Sequence, residues 1–299
     1  MERALNSNAA SLGLSHQANT LLRDLIHERT GLFFDDGRAE VLADKLSPLV
    51  IERGFSSFLD YYYLLKYDDG AETEWHNVLN TLSVPETYFW REMDQIRTLV
   101  DIIIPQWFAG GRREPFRIWS AACASGEEPL TIAMALNEAG WLGKVPIEIN
   151  ASDGSTKAIA KARAGVYGER SFRNLPPQLW AKYFSPEPTA SRWRVSDDLR
   201  SRVTWSITNL MDEPAVSKLA AVQAIFCRNV FIYFSDQSIS KTVRLFASGL
   251  RSPGYLFVAS SESLLRLSTE FELQEIGDAF VYTKGFKQDT QVLRFAEAS

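Results

Sequence analysis

The segment Ala121-Ala122-Cys123-Ala124-Ser125-Gly126-Glu127-Glu128-Pro129 joins a short apolar run to a helical pattern, and chemistry can first be read there. A run of small residues suits a place where backbone must approach a ligand closely. The segment is not Gly-x-Gly-x-x-Gly, and it lacks the Lys-Ser or Lys-Thr of a P-loop. A diphosphate at this helix N-terminus would face Glu127 and Glu128, which is repulsive. Nicotinamide dinucleotides and nucleoside triphosphates are therefore poor ligands. Asp153, 27 positions after Gly126, ends the next apolar run, where a carboxylate accepts hydrogen bonds from a ribose diol. Ser125-x-x-Glu128 also spells a capping box, and Asp153 at a helix start also reads as a cap. On successive strands of one sheet the two carboxylates favour an adenosine-bearing cofactor without phosphates. S-adenosylmethionine, with a sulfonium, an ammonium and two ribose hydroxyls, meets that description.

The elements that must position these residues fall into two kinds. Apolar spacing predicts helices over 18–30, 39–53, 58–66 and 74–82, with Gly31 and Gly54 as stops. After residue 115 strands and helices alternate: strands 116–122, 146–152, 203–208, 221–227 and 255–259, with helices 129–139, 156–164 and 235–250. Segments 271–276 and 280–284, joined by Gly277-Asp278, read as a closing hairpin. That alternation implies a mostly parallel sheet covered on both faces, an α/β domain over 86–299 behind an all-helical domain over 1–85. Between Val166 and Arg202 the alternation lapses, as for a small inserted subdomain.

The net charge of −5 argues against a dedicated nucleic-acid binder. No stretch approaches eighteen apolar residues, and Met-Glu-Arg-Ala-Leu-Asn-Ser is no basic-then-apolar leader, so a cytoplasmic protein without membrane insertion is expected. Cys123 and Cys227 lie 104 positions apart with no Cys-x-x-Cys, which suggests neither a disulfide framework nor a zinc site; they read as small core residues. All three histidines, His16, His27 and His76, fall in the helical front end, away from any strand-end serine, so a Ser-His-Asp hydrolase has no base.

Five spaced segments resemble the chemotaxis receptor methyltransferases, the CheR family. They are Thr87-Tyr-Phe-Trp-Arg-Glu92, Ile118 to Pro129, Ala151-Ser-Asp153 with Ala160 to Tyr167, Phe226-Cys-Arg-Asn-Val-Phe-Ile-Tyr-Phe234, and Ser260-Ser-Glu-Ser263. The resemblance runs from about residue 20 to residue 285. It implies a Rossmann-like class I methyltransferase domain carrying a small β-subdomain, behind an N-terminal helical domain. It also implies that Thr87, Arg91, Glu128, Asp153, Asn209, Leu210, Arg228 and Asn229 contact S-adenosylmethionine, with Arg91 and Tyr233 beside the transferring methyl group. The implied acceptor is a glutamate carboxylate on the cytoplasmic helical signalling domain of a chemoreceptor, giving a methyl ester and S-adenosylhomocysteine. A glutamate is already ionised at neutral pH, so the reaction needs in-line positioning more than a strong base. A guanidinium gripping both oxygens serves that, with the Tyr233 hydroxyl as an orienting donor.

The chain departs from the family pattern at three places. Pro85 stands where the family often has asparagine. Residues 1–80 hold seven Lys and Arg against thirteen Asp and Glu, and Arg38, Lys45 and Arg53 are the basic residues expected on the second helix, so a basic receptor dock there is doubtful. Ser185 to Ser191 replaces a glycine-rich loop of some members, so docking of a receptor's C-terminal pentapeptide is not expected. A methyltransferase with another carboxylate acceptor, and a regulatory binding protein of the same fold, are the competing readings.

Overall fold

A computed structural model of the chain describes Leu12, residues 15–188 and residues 191–285. Among the described residues four helices come first: α1 (His16–Thr30), α2 (Ala39–Glu52), α3 (Phe58–Tyr67) and α4 (Glu72–Leu82). The Ser15 side chain caps α1 by accepting from the Ala18 N–H, and Ser57 does the same for α3 through Asp60. Leu22, Ile26, Leu42, Leu46, Val50, Phe58, Tyr61, Val78 and Leu82 are buried in one cluster. The basic residues expected on the second helix offer no basic face. Arg38 lies in the turn before α2 and Arg53 follows it. Arg53 Nε donates to Glu74 at 2.8 Å, and Lys45 Nζ donates to the Leu82 carbonyl at 3.4 Å.

One helix, α5, links the two parts. It runs through Met93–Arg97, a π-helical stretch Thr98–Ile103, and Ile104–Ala109. Strands β1 (Phe116–Ala121) and β2 (Ile147–Asp153) flank α6 (Glu127–Glu138), and α7 (Thr156–Ala164) follows. The insertion holds β3 (Val166–Gly168), α8 (Pro177–Tyr183), β4 (Phe184–Pro186), β5 (Arg192–Val195) and the short α9 (Asp197–Arg200). The remaining elements are β6 (Val203–Ile207), α10 (Glu213–Leu219), β7 (Ala224–Phe226), α11 (Asp236–Gly249), β8 (Gly254–Phe257), β9 (Glu272–Ile276) and β10 (Ala279–Lys284). The main sheet has the order β6-β2-β1-β7-β8-β10-β9. The first five strands are parallel, and β10 pairs antiparallel with both β8 and β9.

Strand periodicity of two divides the core between the two faces of this sheet. Phe116, Ile118, Phe226 and Phe257 face one cluster; Trp119, Ala121, Ile225 and Leu256 face the other. In the insertion, β3, β5 and β4 form a three-stranded antiparallel sheet, packed through Phe172, Trp180, Phe184 and Trp193. Thr189 and Ala190 of the Ser185–Ser191 segment, and residues 286–299 of the expected second domain, lie outside the described residues. Among the described residues, no helix is long and apolar enough to cross a membrane. The sheet reverses its winding at β1, with β2 and β6 on one side and β7 and β8 on the other. A crevice beyond the carboxyl ends of β1 and β7 is the geometric consequence.

Candidate functional site

Two adjoining pockets fill that crevice and share Val84, Ala122, Ala124 and Asn229. Thr87, Arg91, Glu128 and Arg228 line the first; Asp153, Asn209, Leu210 and Tyr233 line the second. The nine candidate residues are thus brought to the walls of one cleft. Pro85 lines neither cavity, whereas Val84 lines both.

The loops around the cleft are held in unusual backbone conformations. Five described non-glycine residues have φ in the left-handed region: Trp90 (67°), Glu92 (47°), Ala122 (53°), Ala124 (48°) and Asn229 (59°). Each costs roughly 1–2 kcal/mol for an L-residue, so surrounding bonds must over-determine the shape. After β1, the Cys123 N–H donates to the Ser152 carbonyl at 2.9 Å, the Ala124 N–H to Asp153 Oδ2 at 2.8 Å, and the Gly126 N–H to the Cys123 carbonyl at 3.0 Å. Gly126, at φ 93°, could carry no side chain, because a Cβ would stand 2.8 Å from the Trp205 ring.

After β7, the holding group is Glu262, which sequence reading placed in a motif without a role. Its Oε1 accepts from the N–H groups of Val230 (2.8 Å), Phe231 (2.8 Å) and Ile232 (3.3 Å). Its Oε2 accepts from Asn229 (3.0 Å) and Ala259 (2.9 Å). Burial pushes the Glu262 carboxyl up, while the N–H groups of Ala259, Asn229, Phe231 and Ile232 hold it down. The only sequence signal was an acidic residue among serines after a strand.

Arg228 is 7% exposed and largely committed within the protein. Its Nε donates to Glu128 Oε2 at 2.8 Å, Nη1 to the Glu92 carbonyl and Gln95 Oε1 at 3.0 and 3.2 Å, and Nη2 to the Arg91 carbonyl at 2.9 Å. Three of its five N–H groups therefore fix the segment that carries Arg91, and a fourth is taken by Glu128. The Ser120 hydroxyl donates to Glu128 Oε1 at 2.6 Å, so Glu128 bridges β1 and the β7 loop. The capping box expected over Ser125–Glu128 does not form: α6 begins at Glu127, with Gly126 at its N-cap and no side-chain bond there. Glu127 also turns away from the cleft, contrary to the expectation that both carboxylates face a ligand. It is 1% exposed and accepts from Ser125 Oγ at 2.8 Å and from Ser171 Oγ of the insertion at 2.9 Å. Burial pushes its carboxyl up.

Asp153 does not cap α7; Ser155 does, through the Ala158 N–H. Asp153 Oδ1 accepts from the Ser155 N–H and Oδ2 from the Ala124 N–H, both at 2.8 Å. Each carboxylate oxygen has two acceptor positions, so a pair remains free for a diol. Burial pushes the Asp153 carboxyl up, against the two backbone N–H groups. Around it the second cavity is apolar: Leu32, Leu79, Leu82 and Val84 from the front end face Leu210 and Phe234. Asn209 is itself tied across, Nδ2 donating to the Arg29 carbonyl at 2.7 Å and Oδ1 accepting from the Met211 N–H at 3.0 Å.

The helical front end grips the Tyr233 loop directly. The Phe33 N–H donates to the Tyr233 carbonyl at 2.8 Å, and Leu32 bridges Phe234. His27 Nε2 lies 2.7 Å from Ser235 Oγ and 3.1 Å from Ser238 Oγ. His27 thus packs across 208 residues on serines at a helix start, not at a strand end. No hydrolase follows, because Ser235 Oγ accepts the Ser238 N–H as the cap of α11 and, among the described residues, no carboxylate holds the ring. Both cysteines are buried, and burial pushes their thiols well up, which leaves them inert.

An adenosine with a charged but phosphate-free tail fits this donor set. Asp153 has acceptor capacity free, apolar walls surround it, and the far cavity carries Glu128 for an ammonium. Comparison with known proteins agrees. Residues 85–280 match the model of the CheR methyltransferase SAM-binding domain, and residues 19–83 match the CheR methyltransferase all-alpha domain. Chemotaxis protein methyltransferase 2 of Vibrio cholerae is 37% identical over 267 residues, covering 89% of this chain and 92% of its own length. The chemotaxis protein methyltransferase of Escherichia coli is 32% identical, covering 88% and 90%. With S-adenosylmethionine as its cofactor, the chain belongs to the CheR family of chemotaxis methyltransferases.

Proposed function

We propose that the protein esterifies glutamate side chains on the cytoplasmic helical signalling domain of a chemoreceptor, releasing S-adenosylhomocysteine. The observation that carries this reading is the state of two side chains on the cleft wall. The Arg91 guanidinium commits Nη1 to the Glu86 carbonyl at 3.2 Å, with Glu92 only at 3.6 Å from Nε, so an edge of the fork is available. The Tyr233 hydroxyl has no hydrogen-bond partner among the described residues. When bound, the cofactor would supply a methyl group on a cationic sulfur, which a carboxylate oxygen would take as the C–S electron pair returned to sulfur. Arg91 holds the carboxylate in one plane, and Tyr233 donates to the oxygen that does not attack. Positioning of this kind supplies several kcal/mol toward the barrier. No general base is required, which accords with a cleft that holds no histidine among the described residues. Docking of a receptor's C-terminal pentapeptide is not part of this proposal.

Two measurements test it in order. Calorimetric titration with S-adenosylmethionine and S-adenosylhomocysteine should show saturable binding that Asp153→Ala loses. Methyl-labelled cofactor and receptor signalling domains from the same organism should then give label that is released as methanol by mild base, as an ester requires. Base-stable label would assign another acceptor; absence of label with intact cofactor binding would favour a binding protein.

A further inference from the structure

The front end is acidic and its basic residues near α2 are internally paired, yet an acidic acceptor needs a basic surface. Residues 166–202 hold seven Lys and Arg against four Asp and Glu. Lys182, Arg194 and Arg200 pair with Glu138, Glu187 and Asp197. Arg170 is exposed and forms no ion pair among the described residues. Arg173 turns toward the cleft, where its guanidinium carbon lies 3.6 Å from the Tyr88 ring centroid. The Arg91 guanidinium carbon lies 5.3 Å from that same centroid. The two guanidinium carbons are therefore within about 9 Å of each other. On a helix, side chains three or four positions apart have Cβ atoms about 5–6 Å apart. The spacing suits two carboxylates on one helical face, one at each guanidinium.

A carboxylate of this chain already occupies the outer position. Glu86 Oε1 accepts from Arg173 Nη2 at 2.6 Å, while the carbonyl of the same residue accepts from Arg91 Nη1. The Glu86 side chain is 64% exposed, so it is free to swing away. The Arg173 guanidinium, with weaker help from Arg170 and Arg91, holds its carboxyl below the usual range. The other acid at this rim, Glu92, is turned inward, its Oε2 accepting from the Ser260 N–H at 3.3 Å.

We propose that Arg173, supported by Arg170, forms a second carboxylate subsite beside Arg91, which binds an acidic residue flanking the acceptor glutamate after Glu86 is displaced. The inference rests on the glutamate-acceptor reading above and adds to it the charge of the acceptor's neighbouring residue. Arg173 thereby sets specificity and does not touch the reacting atoms.

The test uses the full chain and the signalling domain of a chemoreceptor from the same organism. A second form of that domain has the acids three and four positions from each methylated glutamate replaced by glutamine. Arg173→Gln should raise KM about fivefold on the native domain, the upper range for a partly exposed charge pair. It should leave KM on the glutamine form, and the affinity for S-adenosylmethionine, within twofold. Arg173→Lys should recover part of the loss, and Glu86→Gln should lower KM two- to threefold by removing the internal competitor. If Arg173→Gln lowers kcat or cofactor affinity equally with both domains, Arg173 is only a strut for the Tyr88 segment and the inference fails. No change in any parameter also overturns it. A wild type that labels neither domain would remove the glutamate reading itself, which is a different result.

Discussion

At the Arg228 end of the cleft, charged side chains mostly bond protein backbone; at the Asp153 end, one carboxylate stands among leucines with acceptor capacity left over. Arg228 and Glu262 between them fix the strained backbone at Asn229 and Glu92, and Arg228 retains a single N–H. Asp153 accepts two backbone N–H groups and faces Leu79, Leu82 and Leu210. The difference separates two tasks. The polar end holds geometry, so its residues act on turnover through shape. The apolar end is proposed to supply affinity, through buried area and one oriented acceptor. Substitutions at the first should cost stability and rate together, and substitutions at the second should cost binding first.

Arg228→Ala tests that contrast at its strongest point. It leaves Glu128 without its cation and the Arg91 and Glu92 carbonyls without donors. Breaking a buried pair in this way costs about 3–5 kcal/mol. Denaturant unfolding should show that loss, and turnover should fall even where cofactor still binds. Glu262→Gln is gentler. One carboxylate oxygen becomes an NH₂ group, which must face either the Asn229 and Ala259 donors or the Val230, Phe231 and Ile232 donors. Unpaired buried donors cost about 1–3 kcal/mol. A Glu262→Gln protein with unchanged stability and rate would remove the claim that this end is built to hold backbone.

These two side chains also mark how far the sequence could be read. The alternation of strands and helices after residue 115, the cleft-facing loop and the parallel sheet were legible, because periodicity is local. The partners of Arg228 were not, since Glu128 lies 100 residues away. Among the described residues Glu262 bonds only backbone N–H groups, and no residue type in the sequence announces such a contact. Helix α5 was missed because its π-helical stretch Thr98–Ile103 breaks the 3.6-residue period. In α10, Pro214 in the first turn and a seven-residue length hid the pattern. The capping reading of Ser125 and Glu128 failed for the opposite reason: the local motif was present, but Ser120 and Arg228 engage Glu128 instead.

Asp153 gives a pH signature to the affinity end. Burial raises its carboxyl above the ordinary aspartate value. A raised acid is protonated in the folded protein over a window where the unfolded chain has already ionised. Its contribution to stability is therefore present at low pH and is lost as pH rises through that window. With the ribose diol proposed at Asp153, cofactor binding should run the other way, because its hydroxyls would donate to the ionised form. Affinity for S-adenosylmethionine should fall as pH drops through the raised value, starting above the usual aspartate range near 4. Asp153→Asn should lower affinity about ten- to a hundredfold at neutral pH, the range for a hydrogen bond to a charged group. It should also flatten the pH profile measured by calorimetry. A wild-type profile that stays level down to pH 4 would place the ribose elsewhere.

The smallest expected effect concerns the joint between the ends. His27 reaches Ser235 and Ser238 beside the Tyr233 loop, but it is one contact among several. The Phe33 N–H to the Tyr233 carbonyl, the Leu32–Phe234 bridge and the Asn209–Arg29 bond all cross the same joint. Asn80 adds more, accepting from Ser155 Oγ at 2.7 Å and donating to Thr156 Oγ1 at 2.8 Å. His27→Ala should therefore cost no more than about 1 kcal/mol of stability, the net value of a partly buried hydrogen bond. Cofactor affinity should change less than threefold, because Leu79, Leu82 and Val84 still wall the second cavity. A tenfold loss of affinity, seen in the same titration, would mean that α1 holds the Tyr233 loop through this one ring. The two ends would then be coupled through the front end, and their separate tasks could no longer be assigned to separate residues.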